Sequence, residues 1–375
     1  MVRMENNRVD KVLLKEYFKE LDLAVKGMNG LTDINSYRKE FEKEFASNLG
    51  LPYAIAVNSG TDALHLILLA LGIGKGDSVI IPDLTYISTA LVAHYVGAEL
   101  ILADVKNTDL TLDESRVAPL IKKNTKAIIA VDMFGNPCEM AALRRIAERN
   151  RLFLIEDACQ AFGSRYRGKS VGAIADASAF SFSFYKPLSS LAGNGGAIVY
   201  HDQKMLAAVN KFLDLWKVDN SISVAGRKFN RISLTDLATV RVKLRFSRQI
   251  IEHRDKIKKL YEERLSGTKG VRLFNDRPGF FSVRENFPLL VEKRDLLYSF
   301  LKKRGIDTDL PYPPLHGVDF LAGEGKKANF TVTREYFNSG IQLPLFSFMK
   351  DKECIIVVDA VKDFISKRRL SRLRR

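Results

Sequence analysis

Between residues 53 and 200, short apolar runs alternate with segments whose apolar residues recur at helical spacing. The runs cover residues 54–57, 79–81, 99–103, 127–131, 152–155, 179–183 and 196–199. Turn signals separate them, among them Gly72-Ile73-Gly74-Lys75-Gly76-Asp77, and such alternation predicts a mainly parallel sheet flanked by helices. Upstream, Phe41, Phe45 and Leu49 at helical intervals predict a helix over 37–49. After residue 200 the pattern changes. Leu237, Val240, Leu244, Ile251 and Ile257 mark one long charged helix over about 236–265; the segments 287–292, 294–304 and 357–365 follow. The expected fold class is α/β, with a large domain over residues 1–245 and a linking helix plus a smaller C-terminal α+β domain over 246–375. No internal repeat or low-complexity linker interrupts the chain.

Composition narrows the classes. With 375 residues, 46% of them hydrophobic, the chain can bury a full core, which excludes a disordered or fibrous protein. Cys138, Cys159 and Cys354 are far apart and odd in number; they provide neither a disulfide framework nor a metal-ligand pair, and a reducing cytoplasm is the expected compartment. No metal is expected. The N-terminus is charged from Arg3 onward, and no apolar run approaches the ~20 residues that span a bilayer. A net charge of +15 favours an acidic partner, whether nucleic acid, an anionic membrane surface or a phosphorylated small molecule. Charge alone does not choose among them. Six of the last nine residues are basic (Lys367, Arg368, Arg369, Arg372, Arg374, Arg375), which also suits a solvated helix end.

Three segments carry candidate chemistry. In Asn58-Ser59-Gly60-Thr61-Asp62-Ala63, a strand gives way to a helix. The free N–H groups of a first helical turn, the Ser59 and Thr61 hydroxyls and the helix dipole converge there on a phosphate-sized anion. Gly60 opens the backbone to that anion, Asp62 is expected to point outward, and a plain cap by Ser59 or Thr61 is the simpler reading. In Ile155-Glu156-Asp157-Ala158-Cys159-Gln160 an apolar run ends in carboxylates, where open α/β sheets collect ligands. There Asp157 suits the protonated nitrogen of a pyridine ring, or else a helix cap or a metal ligand. In Ser181 to Gly196 a single lysine, Lys186, follows an aromatic-serine run and precedes a glycine turn. Partly desolvated among Phe182, Phe184 and Tyr185, it is expected to give up its proton readily and act as an amine nucleophile. Together the three suggest a phosphate cradle, a buried acid and a Schiff-base lysine. That is the set pyridoxal 5'-phosphate (PLP) requires to act as an electron sink.

These residues resemble the PLP-dependent sugar-nucleotide aminotransferases, which have the aspartate aminotransferase fold (fold type I). The similarity runs from Phe41-Glu42-Lys43-Glu44-Phe45 through Asn58-Ser59-Gly60-Thr61-Asp62-Ala63-Leu64, Pro82-Asp83-Leu84-Thr85-Tyr86-Ile87-Ser88-Thr89-Ala90 and Glu156-Asp157-Ala158-Cys159-Gln160-Ala161 to Leu301-Lys302-Lys303-Arg304-Gly305-Ile306 and Leu343-Pro344-Leu345. The resemblance implies that Lys186 forms the Schiff base, Asp157 pairs with the pyridine nitrogen, and Gln160 hydrogen-bonds the cofactor O3′. It further implies that Tyr86 stacks on the ring, that Gly60, Thr61 and Ser181 hold the phosphate, and that Asn230 reaches the phosphate of the neighbouring subunit in a homodimer. His316, in Pro311-Tyr312-Pro313-Pro314-Leu315-His316, falls where relatives line the sugar site. The sequence departs from the family in four places, the first being a longer stretch from Arg231 to Asp236 after Asn230. The step from Lys186 to Gly193-Asn194-Gly195-Gly196 is one residue longer, Pro187 follows the lysine, and Asn194 replaces a commoner acidic residue.

The function so implied is amino-sugar biosynthesis, with transfer of an amino group from glutamate or a similar donor to a keto sugar on a nucleoside diphosphate. Tyr185 before the lysine, where cysteine desulfurases have histidine, disfavours that chemistry. Retention of Lys186 disfavours the sugar dehydratases, in which histidine commonly replaces the lysine. A catalytically divergent PLP-fold protein that binds polyanions or regulates is the alternative from another class; it predicts salt-sensitive binding without turnover. Nucleic acid is not an expected partner.

Overall fold

The protein is described by a computed structural model over residues 11–28, 34–218, 229–319 and 329–373. Its helices are α1 (Lys11–Met28), α2 (Ile34–Leu49), α3 (Gly60–Ala70), α4 (Ser88–Tyr95), α5 (Glu114–Val117), α6 (Met140–Asn150), α7 (Gln203–Val218), α8 (Leu234–Arg245), α9 (Ser247–Leu265), α10 (Arg294–Lys303), α11 (Thr331–Ser339) and α12 (Asp351–Leu373). Its strands are β1 (Tyr53–Val57), β2 (Ser78–Pro82), β3 (Glu99–Ala103), β4 (Thr125–Val131), β5 (Phe153–Asp157), β6 (Arg165–Tyr166), β7 (Lys169–Ser170), β8 (Ala177–Ser181), β9 (Gly196–Tyr200), β10 (Val271–Leu273), β11 (Phe280–Phe281), β12 (Phe287–Val291) and β13 (Gly340–Leu343).

The seven apolar runs between residues 53 and 200 form one sheet, in the order β1-β9-β8-β5-β4-β2-β3. Only β9 runs against its neighbours β1 and β8; the other pairs are parallel. Side chains alternate across a strand, and both faces are covered, so the runs read as continuously apolar. Ile55, Val57, Val79, Ile81, Ala127, Ile129 and Ile155 enter one core cluster. Their sequence neighbours enter two others, Ile80, Ile128 and Leu154 in one and Ala54, Ala56 and Val199 in the other. A third layer of packing surrounds the sheet β10-β12-β13, where Ile257, Tyr261, Leu289, Leu301, Ile341 and Val361 are buried together.

Two expectations change. The single helix over 236–265 is two helices: the Phe246 backbone, at φ −97° and ψ 10°, closes α8 with its N–H shared between the Val242 and Lys243 carbonyls, and α9 starts afresh. The run at 179–183 ends as a strand at Ser181: the Phe182 N–H still meets the Gly195 carbonyl at 2.9 Å, but the Phe182 carbonyl takes the Ser190 N–H at 2.7 Å and the Gly195 N–H turns to the Asn58 carbonyl at 2.7 Å. Helix α1 carries no sequence expectation. It is fastened to α8 through Glu20, which takes Arg241 at 3.3 Å and Arg245 at 2.7 Å. The basic C-terminal residues 367–373 continue α12 as helix, with Lys367 paired to Asp363 at 3.0 Å, while 374 and 375 lie outside the described residues. Among the described residues no helix is long and apolar enough to cross a membrane, and no cluster suits a metal ion.

Candidate active site

The carboxyl ends of β1, β4, β5 and β8 open into one cleft of about 520 Å³, the place where open α/β sheets bind ligands. Gly60, Thr61, Tyr86, Asp157, Gln160, Ser181 and Lys186 all line it. Sheet register explains part of this convergence: Val57, Gly196 and Ser181 share one row across the sheet, and Val131, Asp157 and Ala179 share a row two residues back from it.

On one side lies a set of donors. Ser59 caps α3, its Oγ accepting the Asp62 N–H at 3.0 Å. Thr61 Oγ1 reaches Ser88 Oγ at 3.0 Å, and Ser181 Oγ reaches Ser183 Oγ at 3.2 Å. These hydroxyls surround the first turn of α3, whose orphan N–H groups favour an anion. Gly60 is required by packing: a Cβ there would stand 2.7 Å from Cys159 Sγ and 2.9 Å from the Ser181 Cβ. The glycine therefore lets α3 start against β8, which differs from the anion approach expected from the sequence. Asp62 also departs from expectation. It is buried, at 3% exposure, rather than turned outward, and it does not line the cleft.

At the floor, Asp157 accepts the Thr89 hydroxyl at 2.8 Å and the Cys159 N–H at 3.2 Å. Thr89 is steadied in turn by the Thr85 hydroxyl at 2.8 Å. Burial pushes the Asp157 carboxyl above its ordinary range, against the opposing pull of the Cys159 and Thr89 hydrogen bonds and the Lys186 charge. A cationic N–H supplied by a ligand answers that condition. Gln160 gives its Oε1 to the Phe134 N–H at 2.6 Å, which leaves its amide NH₂ to donate. Burial and the neighbouring Asp157 charge raise the Cys159 thiol well above its ordinary value, so it stays protonated and unreactive.

Lys186 sits in the turn after β8, where its N–H meets the Ser183 carbonyl at 3.0 Å. The aromatic cage expected around it is absent. Phe182 is buried in the core, whereas Phe184 and Tyr185 stand 54% and 40% exposed. Instead Lys186 Nζ donates to Glu285 Oε1 at 2.6 Å. The same turn is anchored by Lys243, whose Nζ donates to the Ser189 carbonyl and hydroxyl at 2.6 and 2.7 Å, with its amine pushed down to about 8 by burial. The glycine turn is sterically fixed as well. Gly193 at φ 76° has Phe184 where a Cβ would lie, and Gly195 at φ 116° has Ile232 there.

Two candidates lie elsewhere. His316 is not in the cleft lining: its N–H and Nδ1 meet the two Asp83 oxygens at 2.8 and 2.7 Å, and its ring stacks on Phe330. This straps the 311–318 loop to the end of β2. Asn230 is exposed, outside the cleft of its own chain, and its carbonyl accepts the Asn58 N–H at 3.2 Å; residues 226–228 of the same segment lie outside the described residues. The cleft also contains residues that sequence reading missed: Glu285, Asn286, Asp309, Tyr312 and Gln342, all from the C-terminal part. The polar triplet Arg284-Glu285-Asn286 directly before the apolar strand β12 was the available signal for the first two.

Comparison with known proteins gives the family. Residues 15–362 match the DegT/DnrJ/EryC1/StrS aminotransferase family. The chain belongs to that family. A dTDP-3-amino-3,4,6-trideoxy-alpha-D-glucose transaminase of Streptomyces venezuelae is 33% identical over 96% of this chain and 97% of its own. A GDP-perosamine synthase of Escherichia coli is 30% identical over 88% and 91%. Among solved structures, S. venezuelae DesV in complex with a ketimine intermediate superposes with a TM-score of 0.87 at 32% identity, covering 97% of this chain and 99% of that one. The fold is thus the fold type I architecture of PLP-dependent transferases, an α/β protein with a mainly parallel central sheet. A dTDP-3-amino-3,6-dideoxy-alpha-D-galactopyranose transaminase of Aneurinibacillus thermoaerophilus is likewise similar, 30% identical over 87% of this chain and 89% of its own.

Proposed function

We propose that the protein transfers an amino group from glutamate, or a similar amino-acid donor, to a keto sugar carried on a nucleoside diphosphate, with PLP as cofactor. The observation that carries this reading is the convergence, in one cleft, of an amine (Lys186), a buried carboxylate without a bonded cation (Asp157) and a hydroxyl-rich helix N-terminus. PLP, when bound, supplies a protonated pyridine ring that accepts the electrons of a carbanion at the substrate carbon. The chain supplies the rest. Asp157, oriented by Thr89 and the Cys159 N–H, would pair with the ring nitrogen; the Gln160 amide would donate to O3′; Thr61, Ser181 and the α3 N–H groups would hold the phosphate, with Tyr86 beside the ring. Lys186 links covalently to the cofactor and, once released, moves the proton at the substrate carbon. The side chains of Glu285, Asn286, Asp309 and Gln342 suit a partner rich in hydroxyl groups.

In this reading residues 1–245 bind the cofactor, and 246–375 close the cleft over it in the cytoplasm. The testing experiment is a screen of purified protein with glutamate against dTDP-, GDP- and UDP-linked keto sugars, read by mass spectrometry. One amino-sugar nucleotide is expected to form in step with 2-oxoglutarate. Failure to convert any of them, together with no release of 2-oxoglutarate in the half-reaction, overturns the reading.

We further infer a homodimer with composite sites, in which the exposed Asn230 of each chain reaches the phosphate held by the other. Lys186→Ala and Asn230→Asp, each inactive alone, are then expected to recover part of the native activity when mixed and refolded, because one heterodimer site has both residues native. A new carboxylate at 230 repels the phosphate. An active Asn230→Asp protein with normal PLP binding removes the role given to Asn230, and an active monomer in sedimentation removes the composite site.

A further inference from the structure

Glu285 is the one acidic side chain bonded to the reacting amine among the described residues, at 2.6 Å, and both partners are shielded, with side-chain exposures of 11% for Lys186 and 4% for Glu285. Its second oxygen, Oε2, is buried and has no hydrogen-bond partner. The backbone that presents it is rigidly held. Fully buried Arg254 donates to the Arg284 carbonyl at 2.6 Å and to the Glu285 carbonyl at 2.8 Å. The next residue, Asn286, donates to Gln342 Oε1 at 2.6 Å. A carboxylate brought 99 positions along the chain and fixed on both sides is unlike a surface pair held by two mobile side chains.

We propose that Glu285 is the counter-ion and positioning residue of Lys186: it parks Nζ as an ammonium in the cleft whenever that amine has no covalent bond, and receives its proton when the bond forms. Condensation of the Lys186 ammonium with an aldehyde carbon forms a carbon–nitrogen bond and breaks the carbonyl bond. The aldehyde oxygen leaves as water with two of the Nζ protons, and the third passes to Glu285, which is already at hydrogen-bond distance. Charge balances, since ammonium and carboxylate become a neutral linkage and a carboxylic acid. Separating the pair without that transfer would leave a buried charge alone, which is strongly unfavourable. Glu285 thereby opposes covalent attachment, and the released amine stands beside a carboxylate that can take its proton and free it to act as a base.

The inference rests on the proposed covalent role of Lys186, and the test separates the two. In the cofactor-free protein, competitive labelling of lysines with acetic anhydride, read by peptide mapping, reports how readily each amine reacts. Glu285→Gln is expected to raise the labelling rate of Lys186 about tenfold at neutral pH, the lower end of what an opposite charge in contact contributes. Glu285→Asp, which keeps a carboxylate, is expected to remain closer to the native rate, and Lys243, on α8 against the same turn, to label as in the native protein. With PLP below saturation, the borohydride-stable share on Lys186 is expected to rise several-fold in Glu285→Gln. An unchanged Lys186 labelling rate in Glu285→Gln, or an equal rise in Glu285→Asp, overturns the proposal. If instead the native protein forms no borohydride-stable adduct on Lys186, it is the covalent role of the lysine that fails.

Discussion

Replacing Lys186 with alanine is expected to abolish covalent attachment of the cofactor and to lower transamination by on the order of 10⁴-fold, the upper range for loss of a positioned proton-transfer group. The protein is expected to stay folded. Lys186 lies in a turn outside the four core clusters, and its side chain touches the rest of the fold chiefly through Glu285. The phosphate side, with Ser59, Thr61 and Ser181, and the Asp157 floor remain in place, so PLP is expected to bind without a covalent link. Borohydride reduction followed by intact-mass and peptide measurement checks this: native protein gains the adduct at Lys186, and Lys186→Ala gains none. An adduct of unchanged yield in Lys186→Ala would assign the attachment to another amine, and buried Lys243, pushed down to about 8, is the first to map.

The central sheet was legible because a strand covered on both faces has to be apolar along its whole length, and such runs stand out against charged helices; all seven are strands. The break at Phe246 was not legible, since neither proline nor glycine marks it and the apolar spacing runs on from Leu244 to Ile250. Asp157 and Lys186 were visible because one closes a strand and the other lies in the turn that follows one. The surroundings of Lys186 were misread for a simple geometric reason: consecutive residues in a turn point in different directions, so Phe182 enters the core while Phe184 and Tyr185 face solvent. Glu285 was hidden because its meaning depends on a contact made through the packing of α9 and β12 against the large sheet, and no local pattern encodes that distance. His316 was named because its segment resembles one that lines the sugar site in relatives; only the fold reveals the buried Asp83 that holds it.

Asp157→Asn is expected to separate stability from activity. Because burial lifts the Asp157 carboxyl above its ordinary range, the folded cofactor-free protein holds that proton more tightly than the unfolded chain does. The stability tied to this group is therefore greatest below the ordinary carboxylate value and declines as pH rises through that value to the raised one. An amide does not ionise, so cofactor-free Asp157→Asn is expected to melt no lower than the native protein at neutral pH, and to lose the part of the pH dependence that comes from this residue. Thr89 and the Cys159 N–H can still be satisfied by the amide oxygen and the hydroxyl rotor. Activity is expected to move the other way. A neutral amide gives a ring N–H no charge partner at the moment negative charge develops, and loss of such stabilisation costs on the order of 10²–10³-fold in rate. Melting curves of the cofactor-free proteins across pH, set beside single-turnover rates with glutamate, measure both arms. A native-like rate in Asp157→Asn would remove the carboxylate from the chemistry and leave it a helix-cap or packing role; a sharply lower melting temperature would mean that its hydrogen bonds, rather than its charge, dominate the site.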